Sequence, residues 1–279
     1  MSRTIDVICI DALVASRFLE ALKVSGHTVS LKDISKISES AMFTSAARSY
    51  GRTQYKKDVV SILGSVCAQT FASLRVGHTP LILGGDHSIA IGSVGAALAP
   101  DISQGKHLGL VWIDAHDNAH TTATTFFGHA KRMPLAILLG RGAHALRRPI
   151  GNRRITDAHV LWVGACEEDC DMKELNLFKE PTLSFFDQER LRNRGWMPLY
   201  QELCSFARSV DAIWVSIDLG VLKGIDQRTM LLFAEELAMT RKIVGADIID
   251  HTAAREESDV QGFANIAAFA AKFAVRVLQ

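Results

Sequence analysis

Eight short apolar runs, each cut off by a polar residue and most followed by a longer amphipathic stretch, narrow what this chain can fold into. They lie at residues 5–10, 27–31, 80–85, 107–113, 159–165, 182–186, 212–217 and 244–249. Several, such as "HLGLVWI" and "AIWVSI", are nearly continuous in apolar residues rather than alternating. A strand needs that pattern only when both its faces are covered, and parallel sheets supply such strands. The stretches between them, at 11–24, 53–76, 88–98, 132–140, 187–194, 198–209, 228–241 and 257–277, read as helices. In 53–76 and 257–277 the apolar residues recur at three and four spacing, the stripe of a helix with one buried face. Strand and helix in alternation imply right-handed crossovers. The expected fold is α/β: a three-layer α/β/α sandwich around a mostly parallel sheet of about eight strands. No linker, repeat or low-complexity tract breaks the pattern, so residues 1–279 are expected to form a single domain.

Sheets of this kind collect functional groups at the carboxyl edge of their strands. Polar clusters should then follow directly on apolar runs, and four do. "PLILGG" is followed by Asp86-His87-Ser88, "LVWI" by Asp114-Ala115-His116-Asp117-Asn118, "IWVSI" by Asp218, and "ADII" by Asp250-His251. Asp114 and His116 are two apart. On an extended chain they point to the same side, with Asn118 next in line. Asp-x-His hands one hard oxygen and one imidazole to a single cation, and His87 and Asp218 would arrive from neighbouring strands. Two His, two Asp and Asn118 suit Mn, Fe, Ni or Zn rather than a thiolate-loving metal. A simpler role is open to each acid alone: in "GGDHS", Asp86 would cap the next helix. Three such endings in order argue for a shared ion.

Composition excludes other classes. The formal net charge is +1, which gives no electrostatic case for nucleic acid or membrane partners. Arg147-Arg148 and Arg153-Arg154 read as solvated loop charge. No apolar run reaches the roughly 18–20 residues that span a bilayer. The first residues lack the pattern of a secretory leader, so a cytoplasmic protein is expected. The five cysteines are odd in number and scattered, as reduced thiols would be. Cys166 and Cys170 lack a matching second pair for zinc.

The motifs "GGDHS" (84–88), "DAHDN" (114–118), "MPLA" (133–136), "SID" (216–218) and "GADIID" (245–250) stand in the order found in the arginase and agmatinase (ureohydrolase) family, which the chain resembles over most of its length. The segment "DAHDNAHTTATTFFGHAKRMPLA" lines up without a gap against the family's "DAH…HGMPLA" segment. The resemblance implies an eight-stranded α/β sandwich holding two Mn ions at the strand ends. A hydroxide bridging them attacks a guanidino carbon. It also implies that His87 binds the first metal and His116 the second, while Asp114 and Asp218 touch both. It further implies a homo-oligomer and a small guanidino-type substrate or an arginine-bearing molecule.

The departures from the family pattern are specific. Its second Asp in "DAHxD" is Asn118, and the last carboxylate of its "SxDxD" is Gly220. Each metal has lost a charged ligand, so one cation on Asp114, His116 and Asp218 is easier to hold than two. That set is similar to the single-zinc site of the histone deacetylases, although their tandem histidines are missing. The family's proton-shuttling histidine aligns with Lys131, and its Asn and Ser that grip the substrate carboxylate align with His120 and Phe127. Its guanidinium-binding glutamate aligns with Asp250, one methylene shorter. Asp169 stands at an acidic contact for the substrate amine. His120, His129 and His251 are further candidates near the site, each as a substitute ligand or proton carrier, with His120 a catalytic candidate beside Lys131 and Asp250 and His129 also a candidate for substrate. Two readings result. One is a diverged hydrolase of a guanidino or amidino C–N bond with a depleted site, holding one or two Mn, or Zn or Ni, and acting on something other than free L-arginine. The other is a member without a metal or catalysis, kept for binding, regulation or assembly.

Overall fold

The computed structural model describes residues 2–10, 12–34, 52–116, 118–124, 129–142, 144–166, 183–249 and 260–279. Eight strands, β1 (Thr4–Cys9), β2 (Thr28–Asp33), β3 (Thr79–Leu83), β4 (Leu108–Ile113), β5 (Val160–Val163), β6 (Ser184–Phe186), β7 (Ala212–Asp218) and β8 (Ile243–Ile249), form one sheet in the order β2-β1-β3-β8-β7-β4-β5-β6. Every pair in it is parallel. Each apolar run of the sequence is one of these strands.

The described helices are α1 (Ala12–Val24), α2 (Arg52–Arg75), α3 (Ala90–Ala97), α4 (Pro100–Ser103), α5 (Pro134–Leu138), α6 (His144–Arg147), α7 (Gln188–Arg194), α8 (Trp196–Ser209), α9 (Gln227–Met239) and α10 (Val260–Leu278). The sheet's two faces carry separate cores, and the period of two along each strand sorts residues between them. Val111, Ile113, Val163, Val215 and Ile217 face a layer holding Phe18 of α1, Leu203 of α8, Phe233 of α9 and Phe273 of α10. Leu110, Trp112, Trp162 and Trp214 face the opposite layer, with Leu63 of α2, Val94 of α3 and Leu138 of α5. Burying each large apolar side chain contributes roughly 1.5–3 kcal/mol.

Three expectations change in detail. The helix expected over 132–140 is a 3-10 turn at Ala130–Arg132 followed by the five-residue α5, which Pro134 starts. The turn α4 was not anticipated, because four residues carry no period. The chain does not stay extended past Ile113. The Asp114 carboxylate accepts the His116 backbone N–H at 2.9 Å, which curls the backbone, and Asn118 takes a left-handed conformation (φ 51°) that Asn tolerates. No helix among the described residues is long and apolar enough to cross a membrane.

Candidate metal centre

In the sheet order, β3, β8, β7 and β4 are consecutive. Their carboxyl ends therefore meet, and the residues that follow them are brought to one place. His87 comes after β3, in a 3-10 turn that Asp86 caps by accepting from the Ser88 backbone N–H. The simpler reading of Asp86 thus describes what it does. Asp114 follows β4, and Asp218 ends β7.

His87, Asp114 and Asp218 are all buried, and each offers a ligand atom within 4.8 Å of the others. His87 Nδ1 lies 2.6 Å from Asp114 Oδ2 and 3.9 Å from Asp218 Oδ2. The His87 ring stacks on Trp112 of β4, with centroids 3.7 Å apart and planes 9° from parallel. Its Nε2 is 3.0 Å from Ser216 Oγ. The loop carrying Asn118 is pinned from outside: the Leu135 N–H of α5 donates to Asn118 C=O at 3.0 Å. The Asn118 amide donates to Asp114 Oδ2 and lies 3.2 Å from His87 Nδ1. Gly164, just past β5, packs beneath the centre at φ +96°. A Cβ there would meet Val221 at 2.5 Å.

Burial alone would raise the Asp114 carboxyl. Hydrogen bonds from His116 and His87, the charge of His87 and the His116 backbone N–H outweigh it and hold Asp114 below the usual carboxylate range. A fully buried acid whose pKa is lowered in this way fits the anionic half of a cation site.

The other expected residues are spread around this trio. His116 reaches Asp114 Oδ1 at 3.3 Å, and its side chain is 42% exposed, at the rim. His120 is buried, with Nδ1 3.1 Å from Thr124 Oγ1. His129 and Lys131 are exposed. Asp169, Asp250, His251 and Phe127 lie outside the described residues. Ser216, within "SID", contacts His87 in a way that the motif alone does not reveal. The available signal was its spacing of two from Asp218, which puts both on one side of β7.

One imidazole and two carboxylates converging in a buried site fit a single divalent cation of the Mn, Ni or Zn type. The donors for a second are weaker. The Asn118 NH2 is turned toward Asp114, and position 220 has no side chain. Gly220 instead donates its backbone N–H to Asp218 Oδ1 at 2.7 Å, and a Cβ at 220 would stand 2.9 Å from that oxygen.

With this geometry in view, comparison with known proteins is direct. A family model described as "Arginase family" matches residues 15–278. The chain belongs to the arginase family. It is 30% identical to the arginase of Bacillus caldovelox over 189 residues, 62% of this chain and 61% of that one. It is 33% identical to the arginase of Bacillus subtilis over 148 residues, 53% of this chain and 48% of that one. By sequence it thus spans about half to three-fifths of the length of these arginases. Superposed on the Bacillus caldovelox arginase structure, it gives a TM-score of 0.82 at 20% identity, covering 99% of this chain and 98% of that chain. The formimidoylglutamase of Bacillus subtilis gives 0.68 at 18%, covering 100% and 88%. The structural match thus extends past the spans of the pairwise sequence alignments.

Proposed function

We propose that this arginase-family protein is a hydrolase of a guanidino or amidino C–N bond that works with one divalent cation and does not prefer free L-arginine. The observation that carries the reading is the buried trio His87, Asp114 and Asp218 at the carboxyl edge of an arginase-family sheet. A divalent cation bound there supplies Lewis acidity and acidifies water near neutral pH. The protein does the rest. Asn118 and the His116 N–H fix the Asp114 carboxylate in two directions, and Trp112 fixes the plane of the His87 ring. His120, buried two residues beyond Asn118, is the proton carrier in this reading in preference to the exposed Lys131. Asp250 and Asp169 take the cationic parts of the substrate.

One observation favours the second reading, a family member kept for binding or regulation. His87, Asp114 and Asn118 already hydrogen-bond one another, so the buried polar groups find partners within the protein. The test is to load the protein with Mn2+, Zn2+ or Ni2+ and measure ammonia or urea release from a panel of guanidino and amidino compounds. The hydrolase reading expects turnover of at least one compound that is lost in Asp114→Asn. Absence of turnover across the panel, with metal bound, would decide for the second reading.

A further inference from the structure

Asp247 lies in the middle of β8 and is completely buried. A carboxylate there is expensive to hold, and nothing in the reaction above uses it. Its Oδ2 accepts from Ser93 Oγ at 2.9 Å and from Trp214 Nε1 at 3.0 Å. Its Oδ1 has no hydrogen-bond partner. Two neutral donors would be served as well by an amide, so they do not explain the acid.

The sheet register supplies a reason. Asp247 is paired with Ser216 across β8 and β7, so their side chains share a face, close enough for the Ser216 hydroxyl to pull the carboxyl's pKa down. The same hydroxyl is 3.0 Å from His87 Nε2. Ser216 has one proton to give and two neighbours that could take it. A carboxylate can only accept. If the proton goes to Asp247, Ser216 Oγ is left to accept from His87 Nε2–H. The ring's other nitrogen, Nδ1, faces Asp114 and Asp218; with a cation bound it would offer its lone pair in place of the hydrogen it gives Asp114 here. A ligating histidine depends on such an outer partner to fix its tautomer.

We propose that Asp247 is a positioning residue that, through Ser216, sets which nitrogen of His87 is free to bind the cation. The inference rests on the one-cation reading of the centre. In Asp247→Asn, the amide oxygen can keep Trp214 and Ser93 while its NH2 donates to Ser216. The hydroxyl proton is then turned onto His87 Nε2, and Nδ1 is forced to carry the hydrogen.

The experiment compares wild type, Asp247→Asn, Ser216→Ala and Ser93→Ala by Mn2+ and Zn2+ titration against a metallochromic chelator. The melting midpoint of each metal-free protein is read alongside. Asp247→Asn is expected to weaken affinity about 10–100-fold with a midpoint no lower than wild type. Ser216→Ala should weaken affinity similarly, and the double variant no further. Ser93→Ala, which removes the hydrogen bond to Asp247 and a longer one to the Ala90 carbonyl, should lower the midpoint and leave affinity within about threefold. Wild-type affinity in Asp247→Asn would overturn the relay while leaving the one-cation reading intact, as would a loss of affinity that merely follows a loss of midpoint. A wild type that takes up neither metal would overturn both.

Discussion

Asp114 and Asn118 show how two neighbouring side chains can define a site between them. Asn118 donates to the carboxylate that a second cation would otherwise share. The double change Asn118→Asp and Gly220→Asp should restore two charged donors. An Asp tolerates the left-handed backbone at 118 almost as well as Asn does. At 220 the new Cβ presses on Asp218 Oδ1, so that carboxylate must first release the Gly220 N–H. Four acids would then stand together without compensation. The double variant should melt lower than wild type when metal-free, bind more Mn2+ per chain, and gain more in melting midpoint on its addition. Calorimetry with and without Mn2+ checks this; unchanged metal content would mean that 118 and 220 are not ligand positions. At Asp247, burial raises the carboxyl from an ordinary 3.8 to about 6, against hydrogen bonds from Trp214 and Ser93. A raised acid favours the native state while neutral and burdens it once ionised. The burden grows as pH rises from about 4 to about 6 and reaches about 3 kcal/mol. Asp247→Asn should therefore gain stability over wild type above pH 6 and lose that advantage near pH 4.

At the scale of elements, helix α3 follows directly on His87 and is held close to α2. A Cβ at Gly92 would meet Leu63 C=O at 2.6 Å. Gly→Ala inside a helix is normally stabilising. Here Gly92→Ala should instead lose roughly 1–3 kcal/mol through overpacking and weaken cation binding by moving His87, as denaturation and metal titration would show. The edge strand β2 is clipped to β1 by Asp6, whose side chain is 3% exposed and bonded to Ser30 (2.5 Å), Lys32 (2.9 Å) and His78 (3.2 Å). Burial raises this acid, but those partners and Ser73 hold it far below the carboxylate range. A depressed acid contributes stability above its unfolded value near 4 and loses it as pH falls. Wild type should thus lose its advantage over Asp6→Asn on acidification below about pH 4, and parallel unfolding curves at neutral and acid pH would test it. The eight strands were legible because a continuous apolar run has few other uses. The short helices were not, since four or five residues cannot show a period. The turn at Asn118 is hidden in the sequence because a side-chain-to-backbone hydrogen bond and a positive φ leave no periodic trace. The roles of Ser216 and Asp247 needed the β7–β8 register, which only the folded sheet supplies.

For the whole molecule, the sheet order turns four separated motifs into neighbours. That order, not the local motifs, makes a centre from residues 87, 114 and 218. The resemblance implies that His120 and Phe127 stand in place of the Asn and Ser that grip a substrate carboxylate in the family, and His120 is buried against Thr124. Free L-arginine should therefore be a poor substrate, with turnover at least about 100-fold below that of a guanidino or amidino compound lacking the α-carboxylate. A substrate comparison at saturating metal decides it, and efficient urea release from arginine would refute it. The central claim, a single cation on His87, Asp114 and Asp218, is tested most directly by counting metal. Protein loaded with Mn2+ or Zn2+ and dialysed against metal-free buffer should retain no more than one equivalent, and Asp114→Asn should retain none. Two tightly held equivalents, or one that survives Asp114→Asn, would contradict it.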